Sequence, residues 1–125
     1  MVTRVMAAVM LVLAAAGWSG EDVKPIKALL ISGGNAHDYK AQAQLVPDGI
    51  NARANVEWTV VHPTLPNGRE VPGNSQIEVY KKPGWAKEYD VVVHNECYAE
   101  CADKDFVESI AKAHEEGVPA VVIHG

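Results

Sequence analysis

The sequence has no basic run and no complete catalytic or cofactor fingerprint, and these absences exclude several classes of protein. Its 125 residues contain 11 Lys and Arg against 16 Asp and Glu, which gives a formal net charge of -5. A phosphate backbone would find no positive stripe to follow, so we expect no nucleic-acid partner. A G-x-S-x-G nucleophile elbow does not occur, and the glycine pair at 33 and 34 lacks the third glycine of a dinucleotide-binding turn.

The sequence also lacks an apolar run long enough to span a bilayer, which takes roughly 20 residues. Its longest run, residues 5–16, follows Thr3 and Arg4 and precedes small residues at 17–20. This layout is typical of a secretory signal peptide. We predict a signal peptide over residues 1–19, a linker over 20–26 and a domain over 27–125. The protein would then be secreted or periplasmic, without a stable membrane anchor.

Cysteine is scarce, since Cys97 and Cys101 are the two in the chain. In an oxidising compartment they are candidates for a disulfide, and on a helical turn their spacing would place both thiols on one face. A loop this short adds little stability, and two separate buried thiols fit the sequence as well. Thiol redox chemistry is disfavoured because the spacing is not C-x-x-C.

Apolar segments and helical segments alternate along the chain. Strands are predicted over 26–32, 56–62, 89–95 and 119–124, and Gly33 and Gly34 are predicted to form a sharp turn after the first strand. Helices are predicted over 39–51, capped by Asp38, and from Asp103 to a stop at Gly117, with Glu108 and Lys112 paired on its exposed side. The pattern predicts an α/β fold with a parallel sheet, helices on both faces and the first strand in the centre.

Two features of this pattern are unusual. Residues 63–88 hold four prolines and three glycines, which predicts a long surface crossover with a short helical piece near 76–81. The sequence also stops at Gly125, where the fourth strand is complete. We therefore expect the sheet to be incomplete at its C-terminal side.

Histidines concentrate at the carboxyl ends of the predicted strands. Four of the five, His37, His62, His94 and His124, lie at or just after such an end, whereas His114 lies in a helix and is interpreted as a surface residue. These ends meet at one edge of a parallel sheet, where ligands bind. Each histidine alone also fits a structural role, since chains turn polar where they emerge into water.

The histidines after the two central strands, His37 and His94, are the favoured functional residues. We predict His37, Asp38 and His94 as catalytic candidates acting by general acid–base chemistry. Alternatively, a divalent metal would be held by His37 and His94 together with Asp38 or Glu96. The remaining candidates are ligand-binding residues: Gly33, Gly34, Asn95, Glu96 and His124. A phosphate at the glycine pair is disfavoured because Asp38 would repel it.

Three segments, GGNAHDY, YDVVVHNEC and VVIHG, resemble the ThuA-like (trehalose-utilisation) domain family over residues 27–125. The resemblance implies a flavodoxin-like fold, similar to class I glutamine amidotransferases, with further strands beyond those seen here. It also implies export and a role in sugar metabolism. The amidotransferase cysteine has no counterpart, because His124 and Gly125 stand at its place.

These observations lead to the expectation of an exported domain that binds or processes a carbohydrate-derived, small-molecule ligand at the strand ends. The alternative is a non-catalytic carbohydrate-binding or interaction module of a larger polypeptide, or an inactive fragment. The sequence alone does not establish whether the domain is an enzyme.

Overall fold

The computed structural model describes residues 23–124, with His124 described by its backbone only. The predicted signal peptide lies outside these residues. The elements, in chain order, are β1 (Ile26–Gly34), α1 (Tyr39–Asn51), β2 (Val56–Val61), a 3-10 helix (Glu78–Lys81), β3 (Val91–Cys97), α2 (Lys104–Glu115) and β4 (Ala120–His124). In the described part of the chain, no helix is long and apolar enough to cross a membrane.

The four strands form one parallel sheet in the order β2-β1-β3-β4. This confirms the α/β fold, and it confirms that the first strand lies between the second and the third. The arrangement, with its two helices, is compatible with a flavodoxin-like fold. Because β1 is flanked on both sides and covered on both faces, its residues 28–34 are all buried.

The glycine pair was predicted to turn the chain after β1, and that prediction is wrong. The strand continues through both glycines, with Gly33 opposite Glu96 and Gly34 opposite Cys97. Gly34 has φ of +112°, and a Cβ at this position would collide with the backbone of Cys97. The two backbones approach so closely at this point that only glycine fits.

The two faces of the sheet are covered differently. On one face, α1 packs through the buried Tyr39, and Asn95 Nδ2 donates to Gln42 Oε1 at 2.9 Å and to Ser32 Oγ at 3.3 Å. On the other face lies the main core, whose buried members come from β1, β3 and the crossover: Leu29, Ile31, Val92, Ile77, Tyr80 and Ala86. The long crossover is therefore a packed layer of the fold rather than a surface loop.

Both helices begin at the predicted caps. Asp38 accepts from the Ala41 backbone N–H at 3.0 Å, and Asp103 accepts from that of Phe106 at 3.0 Å. Two hydrogen bonds stabilise the Asp103 carboxylate and lower its pKa. The larger effect comes from the Phe106 N–H, and the smaller one comes from the side-chain amide of Gln76 at 2.8 Å. The Gln76 contact also ties the crossover to the start of α2.

The prediction that Glu108 pairs with Lys112 is wrong. Its carboxylate lies 3.4 Å from Lys104 Nζ, one turn towards the start of α2, instead of pairing with Lys112. Both side chains of this pair are largely exposed, so the pair contributes little to stability.

We predict that Gly34→Ala destabilises the protein, because an alanine would be strained at this φ and would push β1 away from β3. The expected loss in free energy of unfolding is at least about 1–3 kcal/mol. Equilibrium unfolding in urea measures it. The matched control is Gly49→Ala in α1, where a Cβ meets nothing within 4 Å. That control should stabilise by roughly 0.5–1 kcal/mol, and equal effects at both positions would contradict the prediction.

Candidate functional site

His94 lies in the middle of β3 and is only 8% exposed. Side chains alternate between faces along a strand, so His94 and Glu96 share the face of Val92, whereas Asn95 points to the α1 side. The candidate residues predicted at the strand ends therefore do not form one site, because the neighbouring residues Asn95 and Glu96 point to opposite faces of the sheet.

Both ring nitrogens of His94 are engaged. Nδ1 lies 2.9 Å from Glu96 Oε1 and 3.1 Å from the Tyr80 hydroxyl, and Nε2 lies 2.9 Å from Nε2 of His114. The Tyr80 hydroxyl donates to the same Glu96 oxygen. We refer to His94, Glu96, Tyr80 and His114 as the His94 cluster.

Aromatic rings surround this cluster. The Tyr80 ring contacts Trp85 edge-on at 4.8 Å between centroids and Phe106 at 6.1 Å, and Trp85 contacts the His114 ring at 5.8 Å. Burial, and then the neighbouring Glu96 carboxylate, raise the pKa of Tyr80 well above its usual value. The hydroxyl therefore stays protonated and acts as a fixed donor.

The cluster lies at one end of a cavity of about 720 Å³ between the sheet and α2. Its polar end is formed by His94, Glu96, Tyr98 and His114, and its walls are mainly apolar. The wall residues come from α2 and β4: Phe106, Val107, Ile110, Ala111, Ala120 and Val122. Val122 is 67% exposed, so the cavity opens beside β4.

Two polar atoms near this end have no hydrogen-bond partner among residues 23–124. They are Glu96 Oε2 and the Tyr98 hydroxyl oxygen, and both are buried. Burial, and then Glu96, raise the pKa of Tyr98. A buried acceptor and a buried hydroxyl without partners are costly unless something else binds them.

The predicted residues after β1 lie elsewhere. His37 and Asp38 are exposed in the turn before α1, where Asp38 caps the helix and the His37 ring contacts Tyr39 at 5.8 Å between centroids. Gly33 is buried directly against the Tyr98 hydroxyl, so a side chain at this position would require Tyr98 to move. Neither His37 nor Asp38 lines the cavity described above.

The remaining candidates also have defined positions. His62 follows the edge strand β2, with Nδ1 at 2.9 Å from the Ser32 carbonyl and Nε2 at 3.2 Å from Glu70 Oε1. The backbone of His124 pairs with Asn95 at the end of β4. Within residues 23–124, no group of three His, Cys, Asp or Glu side chains is placed to hold a metal ion.

Cys97 and Cys101 are both free thiols, and both line the cavity. The segment between them forms a turn instead of a helix, in which the Cys101 N–H donates to the Tyr98 carbonyl at 2.9 Å. The helical spacing that would have placed the two thiols on one face is therefore not present.

The sequence did not predict two members of the His94 cluster, His114 and Tyr80. The prediction that His114 is a surface residue is wrong, because it is half-buried against His94. Its spacing of four from Ile110 and eight from Phe106 would have placed it on the apolar stripe of α2. Tyr80 had no such signal, since it reaches His94 from the irregular crossover.

Comparison with known proteins identifies no relative: no family model, curated protein or solved structure matches the chain. Membership of the ThuA-like family stays a prediction from the sequence motifs.

We predict that Tyr80→Phe destabilises the protein by about 1–3 kcal/mol, because it deprives the buried Glu96 and His94 of a hydrogen-bond donor. Unfolding in urea measures this loss. The matched control is Tyr98→Phe, which removes a buried hydroxyl without a partner and should be neutral or slightly stabilising. A Tyr98→Phe loss as large as that of Tyr80→Phe would contradict this assignment of the hydrogen bonds.

Proposed function

We propose that the chain is an exported ThuA-like domain protein that binds or processes a carbohydrate-derived ligand in the cavity beside the carboxyl end of β3. Its proton chemistry is assigned to His94 and Glu96. The observation that carries the proposal is the His94 cluster, a buried imidazole and carboxylate in contact at the polar end of a cavity. An imidazole paired with a carboxylate is a common general acid–base unit.

The cavity suits a small organic ligand. Its volume lies within the roughly 300–1,000 Å³ typical of such sites. Two of its lining residues carry buried polar atoms without a partner, Glu96 Oε2 and the Tyr98 hydroxyl. Hydroxyl groups of a sugar would supply the missing partners once these side chains turn towards the cavity. The rings of Tyr80, Tyr98 and Phe106 offer apolar surface for its carbon skeleton.

His37 and Asp38 take no part in the proton chemistry of this proposal. They are exposed and do not line the cavity, and Asp38 caps α1. A divalent metal would require His94 to give up one of its present partners, Glu96 or His114. We therefore favour the acid–base version over the metal version.

The test uses the full chain, with trehalose and glucose as separate probes. Amide chemical shifts report binding, and proton spectra of the incubated sugar report products. We expect shifts at residues that line the cavity, and Glu96→Gln should lower product formation by about 10²–10⁴-fold while sugar binding is kept. The control Lys112→Gln, on the exposed side of α2, should behave like the wild type.

Two results would contradict the proposal. The first is the absence of shifts at the cavity with either sugar. The second is unchanged binding and turnover in the double variant His94→Ala, Glu96→Ala. Sugar binding without any product would instead support the alternative, a non-catalytic binding module. That alternative is favoured by one observation, the full use of both His94 nitrogens inside the protein.

A further inference from the structure

The orientation of His114 is fixed by the backbone at the end of α2. Its Nδ1 lies 2.8 Å from the carbonyl oxygen of Val118. A carbonyl oxygen only accepts, so Nδ1 must carry a proton, and Nε2 of the neutral ring then bears a lone pair. Val118 follows Gly117, whose φ of +110° turns the chain out of α2 and towards β4. The turn that ends the helix therefore sets the tautomer of His114.

The tautomer of His114 in turn determines one proton of His94. The two Nε2 atoms are 2.9 Å apart, a distance that accommodates one proton between them. Since Nε2 of neutral His114 is an acceptor, the proton belongs to His94. A neutral His94 would then have an unprotonated Nδ1, which is the nitrogen that faces Glu96.

An unprotonated Nδ1 cannot lie 2.9 Å from an ionised carboxylate without repulsion. With His114 neutral, one more proton must therefore be shared on this side of the ring. In one arrangement His94 is doubly protonated, and both its Nδ1 and the Tyr80 hydroxyl donate to Glu96. In the other, Glu96 is protonated and donates to the Tyr80 oxygen, and Tyr80 donates to Nδ1. The two arrangements contain the same atoms and differ only in where two protons lie.

We propose that His114 is a positioning residue that holds His94 in the Nε2-protonated form and thereby commits His94 and Glu96 to share one extra proton. Its use in catalysis rests on the proposed function. The shared proton would pass from the Glu96 carboxyl group to an oxygen of a ligand bound in the cavity. Glu96 would be left ionised beside a neutral His94, and the repulsion at Nδ1 would be relieved when solvent returns the proton. The cluster at rest is thus an acid.

The test is the protonation pattern of the histidine rings in the ¹⁵N-labelled full chain without ligand, read from two-bond nitrogen–proton correlations at pH 7. We expect His114 as the pure Nδ1-protonated form and His94 with Nε2 protonated. His114→Gln, which keeps an acceptor near the place of Nε2, should leave the His94 pattern unchanged. His114→Leu removes the acceptor, and His94 should then show a mixture of tautomers. Lys112→Gln is the control on the same helix.

An unprotonated Nε2 on His94 in the wild type would overturn the proposal, as would the wild-type pattern in His114→Leu. If His114→Leu loses its folded amide spectrum, the wild type and His114→Gln still decide the question. The sugar experiments are independent of this measurement. If the ring pattern is as expected but no sugar binds, the proposed function is refuted and the proton assignment stands. If sugar is turned over but His94 Nε2 is unprotonated, the proton assignment is refuted and the proposed function stands.

Discussion

The pairing of β1 with β3 is the interaction on which the rest of the structure depends. Its register sets Ile31 opposite His94 and Gly33 opposite Glu96. Beyond this, the backbones come together at Gly34 and Cys97 with no space for a side chain. Asn95 and Ser32 add a side-chain hydrogen bond across the same pair. A shift of one residue would send His94 and Glu96 to the α1 face and remove the cluster.

The crossover between β2 and β3 covers the face of the sheet that carries His94 and Glu96. A histidine and a glutamate on one strand would be solvated if nothing covered them. Ile77, Tyr80 and Ala86 cover this face together with α2, so the pair is nearly dry. Low polarity strengthens the hydrogen bonds in the cluster and makes any unpaired atom costly. The unpaired oxygen of Glu96 is therefore the feature that most clearly points to a ligand.

The sequence was sufficient for the sheet, because short continuous apolar runs such as Leu29 to Ile31 fit buried parallel strands and the caps Asp38 and Asp103 mark the helices. It was not sufficient for the extent of β1, because Gly33 and Gly34 favour a turn unless a neighbouring backbone approaches. The candidate site was found in part. His94 and Glu96 follow from their strand, but Tyr80 and His114 join them only through tertiary packing, and no local pattern distinguishes Asn95 from Glu96 until the faces are known.

The central claim is that His94 and Glu96 act as one unit that shares a proton. The most direct measurement is a double-mutant cycle of unfolding free energies, with His94→Ala, Glu96→Ala and the combined variant. The account predicts a favourable coupling energy of about 0.5–3 kcal/mol, the range found for residues in one hydrogen-bond network. Additive losses, with a coupling indistinguishable from zero, would contradict it.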